Sequence, residues 1–198
     1  MSEQATGVRP PIEQAVAPYL NKWGPYRLTR DEVNTTAIRY FCEVAEDANP
    51  VYWDDEFARK TRFGRLIAPP QALFSMTFAP WWQPDYVAQA NEEDAHRLSA
   101  GSAEVEGFEV HRITDEYGYT VNTVTNTESE YLDAFGPGDG RIKTRSMTTS
   151  VSPEKQTRVG KGVFITSVTE YRTEVGDRLI GRSTMVLLKY NPAEPRKD

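Results

Sequence analysis

The chain has 198 residues, of which 38% are hydrophobic and 26% charged, and its formal net charge is -6. A chain of this length buries about 70% of its unfolded surface when it folds as one domain, which is enough for a sizeable core. The acidic balance argues against nucleic acid as a partner, because no excess of Lys and Arg is available to neutralise phosphates.

The residues that usually mark membranes, disulfides or metal sites are sparse. No apolar run is long enough to span a membrane, and residues 1–11 lack the apolar core of a signal peptide, so we expect a cytoplasmic protein. Cys42 is the single cysteine and is predicted to pack inertly on a helix face. His96 and His111 lack a metal-ligand spacing to another His or Cys. The sequence predicts neither a metal nor a cofactor.

The first part of the chain is helical in pattern. Residues 1–26 are predicted to form an N-terminal arm that packs on a partner, with an amphipathic stretch at 11–22 that Pro18 ends or kinks. A second helix begins at Asn34 or Thr35 and places Ile38, Phe41, Cys42 and Ala45 on one apolar stripe, since they recur at steps of three and four residues. This helix is expected to deliver Asp47 at its end.

Two further helices are predicted before residue 80. Asp54 and Asp55 are typical of a helix N-terminus, where carboxylates accept hydrogen bonds from free N–H groups, and Gly64 closes that short helix. Residues 68–79 are largely apolar and have Pro69 and Pro70 near their start, which a first helical turn tolerates, so they predict a buried helix.

The remainder of the chain is extended in pattern. Residues 80–137 are the least informative, although 108–124 carry strand-like residues. Alternating segments at 141–151, 161–173 and 178–190 are separated by turn-forming residues at 152–155 and 174–177. Consecutive hairpins of this kind indicate an antiparallel sheet, and residues 191–198 form a polar tail. Periodicity alone therefore predicts an α+β domain.

Residues 46–70, with the sequence EDANPVYWDDEFARKTRFGRLIAPP, carry the strongest functional signal. They resemble the hydratase motif of MaoC-like (R)-specific enoyl-CoA hydratases, because Asp47, Asn49, Pro50, Val51 and Ala58 fall in register with it. In that family an aspartate and a histidine hold the water that is added to a trans-2-enoyl thioester, and a glycine N–H binds the thioester oxygen.

The segment departs from the family at the groups that perform chemistry. The histidine position is Tyr52, the small pair before the aspartate is Ala45-Glu46, and the family's Ala-His-Gly reads Ala68-Pro69-Pro70. A phenol with a pKa of about 10 is a poor base. Loss of the family's histidine as a base costs about 10²- to 10⁴-fold in rate. Proline has no N–H to donate, and loss of one oxyanion donor costs about 10²- to 10³-fold.

Further stretches of the sequence indicate which domain type of the family the chain resembles. Pro69-Pro70, Gly138-Asp139 and the run GKGVFITSVTEYRTEVGDRLI resemble the N-terminal, fatty-acid-synthase-like dehydratase domain of the MaoC superfamily, over about residues 27–190. The resemblance implies a hot-dog fold, in which an antiparallel sheet wraps around a central helix, here residues 68–79. It further implies a non-catalytic subunit of an enoyl-CoA hydratase that lines an acyl tunnel, for bulky acyl groups of lipids or steroids.

Candidate site residues follow from this resemblance. Asp47 and Tyr52 occupy the altered catalytic positions. The candidates for binding the acyl-CoA substrate fall at the motif, in its basic cluster and in the apolar stretch after it: Asn49, Arg62, Arg65, Pro70, Leu73, Phe74, Trp81 and Trp82. Most basic clusters such as the one near Arg62 are solvated helix faces, but coenzyme A carries phosphates that need cations at the mouth of a pocket.

Three classes of function remain open at this point. The first is a subunit that pairs with a catalytic MaoC-like hot-dog subunit, or with itself, because an edge strand presents unpaired N–H and C=O groups. The second is a self-sufficient hydratase that uses Asp47 with water or Tyr52. The third is a hot-dog thioesterase or an acyl-CoA-binding assembly protein.

Overall fold

The computed structural model describes residues 9–78, 81–106 and 108–192. Six helices in this part are α1 Ile12–Val16, α2 Thr35–Ala45, α3 Asp55–Arg59, α4 Ala72–Met76, α5 Asp85–Ser99 and α6 Glu109–Glu116. The strands are β1 Arg27–Leu28, β2 Val121–Tyr131, β3 Ile142–Val151, β4 Lys155–Thr157, β5 Gly160–Thr173 and β6 Leu179–Asn191. None of these helices is long and apolar enough to cross a membrane.

The strands form one antiparallel sheet in the order β1-β3-β5-β6-β2, and β4 pairs with β5. The predicted strands at 141–151, 161–173 and 178–190 are confirmed as β3, β5 and β6. The predicted turn at 174–177 is confirmed, because Gly176 and Asp177 take positive φ angles of 79° and 50° between β5 and β6. In the predicted turn at 152–155, Lys155 instead begins β4. The α+β prediction is therefore correct.

Two bulges lie at the same level on opposite sides of the β5–β6 hairpin. One shifts the register of β3 between Thr148 and Ser150, and the other shifts that of β2 between Val124 and Asn126. In each bulge the additional residue is a threonine whose hydroxyl donates to a hairpin carbonyl: Thr149 to Thr166, at 3.2 Å, and Thr125 to Val186, at 3.0 Å. Bulges bend the bulged strand and increase the local twist, so the sheet is curved along this line.

Helices cover one face of the sheet at its two ends. At one end, α2 and the segment after it form the larger core cluster with the sheet residues Ile142, Tyr171 and Ile180. At the other end, α1 and α6 pack on Val163 and Ile165. The middle of this face lies between the two clusters.

Some predicted helices agree with the structure and others do not. The helix α2 has Asn34 as its N-cap and buries Ile38 and Cys42, as predicted, but Ala45 is exposed. The prediction of a buried helix over 68–79 is wrong, because α4 has five residues and Phe74 and Phe78 are 42% and 67% exposed. Residue 79 lies outside the described residues. Here the rigid prolines are followed by a single helical turn.

Two other predictions concern the ends of the sheet. The strand-like stretch 108–124 is mostly the helix α6, so the predicted strand is wrong before residue 121. Within the predicted arm, α1 buries Ile12 and Val16 in the smaller core cluster against α6, rather than leaving them free for a partner. The proposed domain limits at 27 and 190 stay a prediction.

Candidate functional site

The hydratase-like segment is held by hydrogen bonds between near neighbours in sequence. The helix α2 ends at Ala45, and Glu46 after it adopts a left-handed conformation. The Asp47 carboxylate then accepts from the Asn49 N–H at 3.0 Å. The Asn49 side chain accepts in turn from the Val51 N–H at 3.2 Å, and Trp53 Nε1 donates to the Asp47 carbonyl at 2.8 Å. Asn49 is therefore a structural cap in this chain, as its residue type favours.

Asp47 faces an open cavity of about 450 Å³ at the protein surface. The cavity is lined by Cys42, Glu43, Glu46, Asp47, Ala48, Pro50 and Trp53. The carboxylates make the rim acidic, and Cys42 at its inner side is 1% exposed, with a thiol pKa that burial and then Asp47 raise. A thiol whose pKa is raised is a poor nucleophile, which agrees with the inert packing predicted for Cys42.

Tyr52 lies in the core beside this cavity and is 9% exposed. Burial raises the pKa of its phenol, and the nearby Asp47 carboxylate raises it further, while a hydrogen bond with the Asn49 side chain lowers it. Tyr52 is consequently protonated at neutral pH and cannot take a proton from water as a neutral imidazole does.

The stretch that leads to Pro70 is fixed by a loop that precedes β3. The Ala68 N–H donates to the Phe135 carbonyl at 2.7 Å. At Gly136 the two segments are so close that an added Cβ would lie 2.7 Å from the Leu66 carbonyl oxygen. Pro70 is thus held in a fixed position where a glycine would present an N–H and proline presents none.

The basic residues of the motif divide into two environments. The Arg65 guanidinium pairs with Asp139 at 2.6 Å and donates to the Pro137 carbonyl at 3.1 Å. Asp139 is 7% exposed and also binds Arg178, at 3.0 Å. Arg65 therefore ties the motif to the loop before β3, whereas Arg62 is exposed and lies over the Phe63 ring.

Leu73 and Phe74 border a separate small cleft against the edge of the sheet. Its lining residues are Leu73, Phe74, Ser129, Tyr131, Tyr171 and Arg182, and its volume is about 10 Å³. Gly181 forms part of the surroundings, because an added Cβ there would lie 3.1 Å from Leu73 Cδ2. This cleft and the Asp47 cavity share no lining residue.

Trp81 and Trp82 lie on the surface beyond α4. They are 103% and 74% exposed, and Tyr86 and Phe78 nearby are also exposed. Phe78 also contacts Phe74, edge-on, at 4.9 Å between ring centroids.

The structure brings together some of the predicted residues. Tyr52, Ala68 and Leu73 share the larger core cluster, so the motif and the segment after it are neighbours in space. Sequence reasoning missed Tyr131, Tyr171 and Ser129, because only strand register places them beside Leu73. Across residues 9–78, 81–106 and 108–192, no three His, Cys, Asp or Glu side chains come together to hold a metal ion.

Comparison with solved structures agrees with this architecture. A chain of the ChsH1–ChsH2 complex from Mycobacterium tuberculosis superposes with a TM-score of 0.70 and 26% identity, over 92% of this chain and 97% of that one. The MaoC-like dehydratase from Rhodospirillum rubrum shares the fold, with a TM-score of 0.53 and 17% identity over 88% and 94%. The protein is therefore of the hot-dog class.

Comparison of sequences is more specific. Residues 25–116 match the family described as the FAS1-like dehydratase domain region. A probable enoyl-CoA hydratase alpha subunit from Thermomonospora curvata is 34% identical over 85% of this chain. The 3-oxo-4,17-pregnadiene-20-carboxyl-CoA hydratase alpha subunit of M. tuberculosis is 29% identical over 92%. The chain therefore contains a FAS1-like dehydratase domain of the MaoC-like hot-dog type, as its sequence predicted.

The chain spans about half the length of these two relatives, 48% and 53% respectively.

Proposed function

We propose that this chain is a non-catalytic, tunnel-forming subunit of an enoyl-CoA hydratase that acts on acyl-CoA thioesters beside a catalytic hot-dog subunit. The single observation that carries the proposal is the state of the motif. Its scaffold is intact, with Asn49 as a cap and Ala58 fully buried. Tyr52, at the position of the base, is buried with a raised pKa, and Pro70 has no N–H for an oxyanion.

The wall of the tunnel is assigned to Leu73, Phe74, Trp81 and Trp82. Leu73 and Phe74 border a cleft at the sheet edge, and both tryptophan rings are exposed. Apolar walls with few polar groups are typical of sites for small molecules. A bulky acyl group is supported by the name of the M. tuberculosis relative.

Arg62 is the better candidate of the two arginines for the coenzyme A phosphates. Its guanidinium is exposed, whereas that of Arg65 pairs with Asp139. A phosphate that competed for Arg65 would leave the buried Asp139 carboxylate with one partner fewer, which is unfavourable. We therefore assign Arg65 to positioning of the motif and Arg62 to the phosphates.

The edge strand β2 supports a heteromer. It is eleven residues long and exposed at all but its first residue. A long exposed edge presents unpaired backbone groups, and pairing with the sheet of a second hot dog satisfies them. The ChsH1–ChsH2 complex is a precedent for two different chains in a relative at 26% identity.

Co-expression with candidate hot-dog partners that retain the Asp/His pair tests the proposal. We expect a mixed complex by size-exclusion chromatography, hydration of trans-2-enoyl-CoA by the complex, and negligible hydration by this chain alone. A monodisperse homodimer that hydrates enoyl-CoA efficiently, and loses this activity in Asp47→Asn, would support the self-sufficient enzyme. Hydrolysis of acyl-CoA instead of hydration would support a thioesterase.

A further inference from the structure

The helix-bearing face of the sheet has two neutral, hydroxyl-rich rows in its middle. Cross-strand partners point to the same face, so the register of β2, β3, β5 and β6 defines these rows. One row consists of Thr148, Ser167, Met185 and Thr127, and the next consists of Ser146, Thr169, Ser183 and Ser129. In the next row, Gly181 of β6 lies between its two cross-strand partners, Tyr171 of β5 and Tyr131 of β2.

The opposite face at the same level is charged. Glu170 pairs there with Arg145 and with Arg182, each at 3.2 Å, and Glu130 is the cross-strand partner of Arg182. Ionic side chains at this level are thus confined to that face, where the buried Glu170 carboxylate binds its arginine partners. The absence of charge from all eight positions of the two hydroxyl-rich rows therefore indicates an uncharged neighbour.

Tyr171 and Ser183 form a buried hydroxyl pair between these rows and the cleft. Their oxygens are 2.9 Å apart, and the two residues are 6% and 5% exposed. The pair has two O–H donors, and its single hydrogen bond uses one of them. Among the described residues the second donor has no acceptor, and a buried donor without a partner is unfavourable.

The cleft beside this pair has the size of one oxygen atom. Tyr171 is one of its lining residues, with Leu73 and Phe74 as apolar neighbours. Its volume of about 10 Å³ is close to that needed by a single water molecule. Burial raises the pKa of the Tyr171 phenol, so the group remains a donor at neutral pH. Arg182 also lines the cleft, but its guanidinium donates to the Glu170 carboxylate on the opposite face, at 3.2 Å.

We propose that the Tyr171–Ser183 hydroxyl pair donates a hydrogen bond to an uncharged oxygen, an oxo or a hydroxyl group, on the acyl part of the thioester. This inference rests on the proposed function and deepens it, since it names the chemistry of the acyl group. A plain hydrocarbon would bury the pair without an acceptor, whereas an oxygen at this place supplies one. Ser129, which lines the cleft, and the neighbouring hydroxyls provide further neutral partners.

Two synthetic probes test the inference directly. They are 3-cyclohexylacryloyl-CoA and its 4-oxocyclohexyl counterpart, which differ by one ring oxygen. Binding is measured by calorimetry to the chain alone and to its complex with a catalytic hot-dog partner. We expect tighter binding of the oxo probe, and we expect Tyr171→Phe and Ser183→Ala each to reduce that preference about fivefold to tenfold. Binding of the plain probe should stay within about twofold.

Tyr190→Phe is the matched control, because it removes a hydroxyl from β6 at the far end of the sheet. It should leave the preference unchanged. Circular dichroism confirms that each variant is folded, and Ser183→Ala suffices if Tyr171→Phe is not. Equal binding of the two probes to the wild type, or an unchanged preference in the folded variants, overturns the inference alone. No binding of either probe to either form overturns the proposed function as well.

Discussion

Under the proposed function, Tyr52 and Pro70 are the two altered positions that limit catalysis by this chain. The phenol is buried, its pKa is raised, and Asp47 lies near enough to contribute to that shift. Pro70 cannot donate a hydrogen bond to a thioester oxygen, because a proline nitrogen has no hydrogen. Restoring the family's residue at one of these two positions leaves the other altered.

We predict that Tyr52→His alone does not restore hydration of trans-2-enoyl-CoA. An imidazole supplies a base, but the thioester oxygen still lacks a donor worth about 10²- to 10³-fold. Loss of enoyl-thioester absorbance measures the rate in purified protein. Tyr52→Phe serves as the matched control for a change at the same buried position. Substantial activity in Tyr52→His would show that Pro70 matters little.

The raised pKa of Tyr52 predicts a dependence of stability on alkaline pH. A folded-state pKa above the unfolded value gives stabilisation that is fully present below the unfolded value of about 10 and is lost as the pH rises through the folded value. The wild type should therefore lose free energy of unfolding more steeply than Tyr52→Phe above about pH 10. Urea titrations at neutral and alkaline pH measure the two slopes.

Tyr40→Phe provides the comparison for that experiment, because Tyr40 is 65% exposed. The free energy of unfolding of Tyr40→Phe should fall with rising pH as that of the wild type does. Identical slopes in all three proteins would mean that Tyr52 titrates normally.

At the scale of elements, Lys189 connects β6 to α6. Its side chain is 2% exposed, and Nζ donates to the Asp115 carboxylate at 2.7 Å and to the His111 carbonyl at 2.8 Å. The ammonium also lowers the pKa of His111, although burial of that imidazole is the larger cause. A single buried cation thus fixes the helix that the sequence pattern did not predict.

We predict that Asp115→Ala lowers the free energy of unfolding by about 2 kcal/mol, because it leaves a buried ammonium without its counter-charge. Lys189→Met should cost about 1 kcal/mol or less, since it removes the charge, keeps the length of the side chain and leaves Asp115 free to hydrate. Urea denaturation gives both values. The reverse ranking would contradict the assignment of Lys189 as a buried charge.

The strands were predictable because their signal is local. Alternation over 141–151 and 178–190, with turn residues between, corresponds to β3 and β6 with shifts of one residue. The segment 109–116 was missed because its β-branched residues suggested a strand, although Val110, Ile113 and Thr114 are spaced to lie on one helix face, which the structure buries. Residues 68–79 were overpredicted, since apolar composition cannot distinguish buried rings from exposed ones.

For the whole molecule, the exposed edge of β2 predicts how the chain associates. Val124 is 54% exposed on this strand. We predict that Val124→Lys weakens the complex with a catalytic hot-dog partner, because a lysine on an edge opposes strand addition. The free energy of unfolding of the Val124→Lys chain should change by less than about 0.5 kcal/mol, as for other exposed sites. Size-exclusion chromatography of the co-expressed chains measures the loss.

Val175→Lys is the matched control, since Val175 is 58% exposed but lies in the turn between β5 and β6. The complex should survive that change. If both variants assemble normally, the partner binds elsewhere than the β2 edge.

The parts of the candidate site differ in how far sequence could predict them. The Asp47–Tyr52 segment was predicted because its hydrogen bonds join residues at most six positions apart. The cleft around Leu73 was not, since Tyr131 and Tyr171 reach it only through the pairing of three strands. Arg65 was predicted to bind the substrate, and its pairing with Asp139 was missed because the two residues are 74 positions apart.

The paired bulges of β2 and β3 have a consequence for the insertions and deletions that the gene can accept. Thr125 and Thr149 are the additional residues, so deletion of either restores regular pairing and leaves every other side chain on its present face. Such a deletion would flatten the sheet rather than disorder it. Loss of another codon in β2, for example that of Thr127, would exchange the two faces beyond it and turn Glu128 and Glu130 toward the hydroxyl rows. Natural length variation in these strands should therefore be confined to the two threonines.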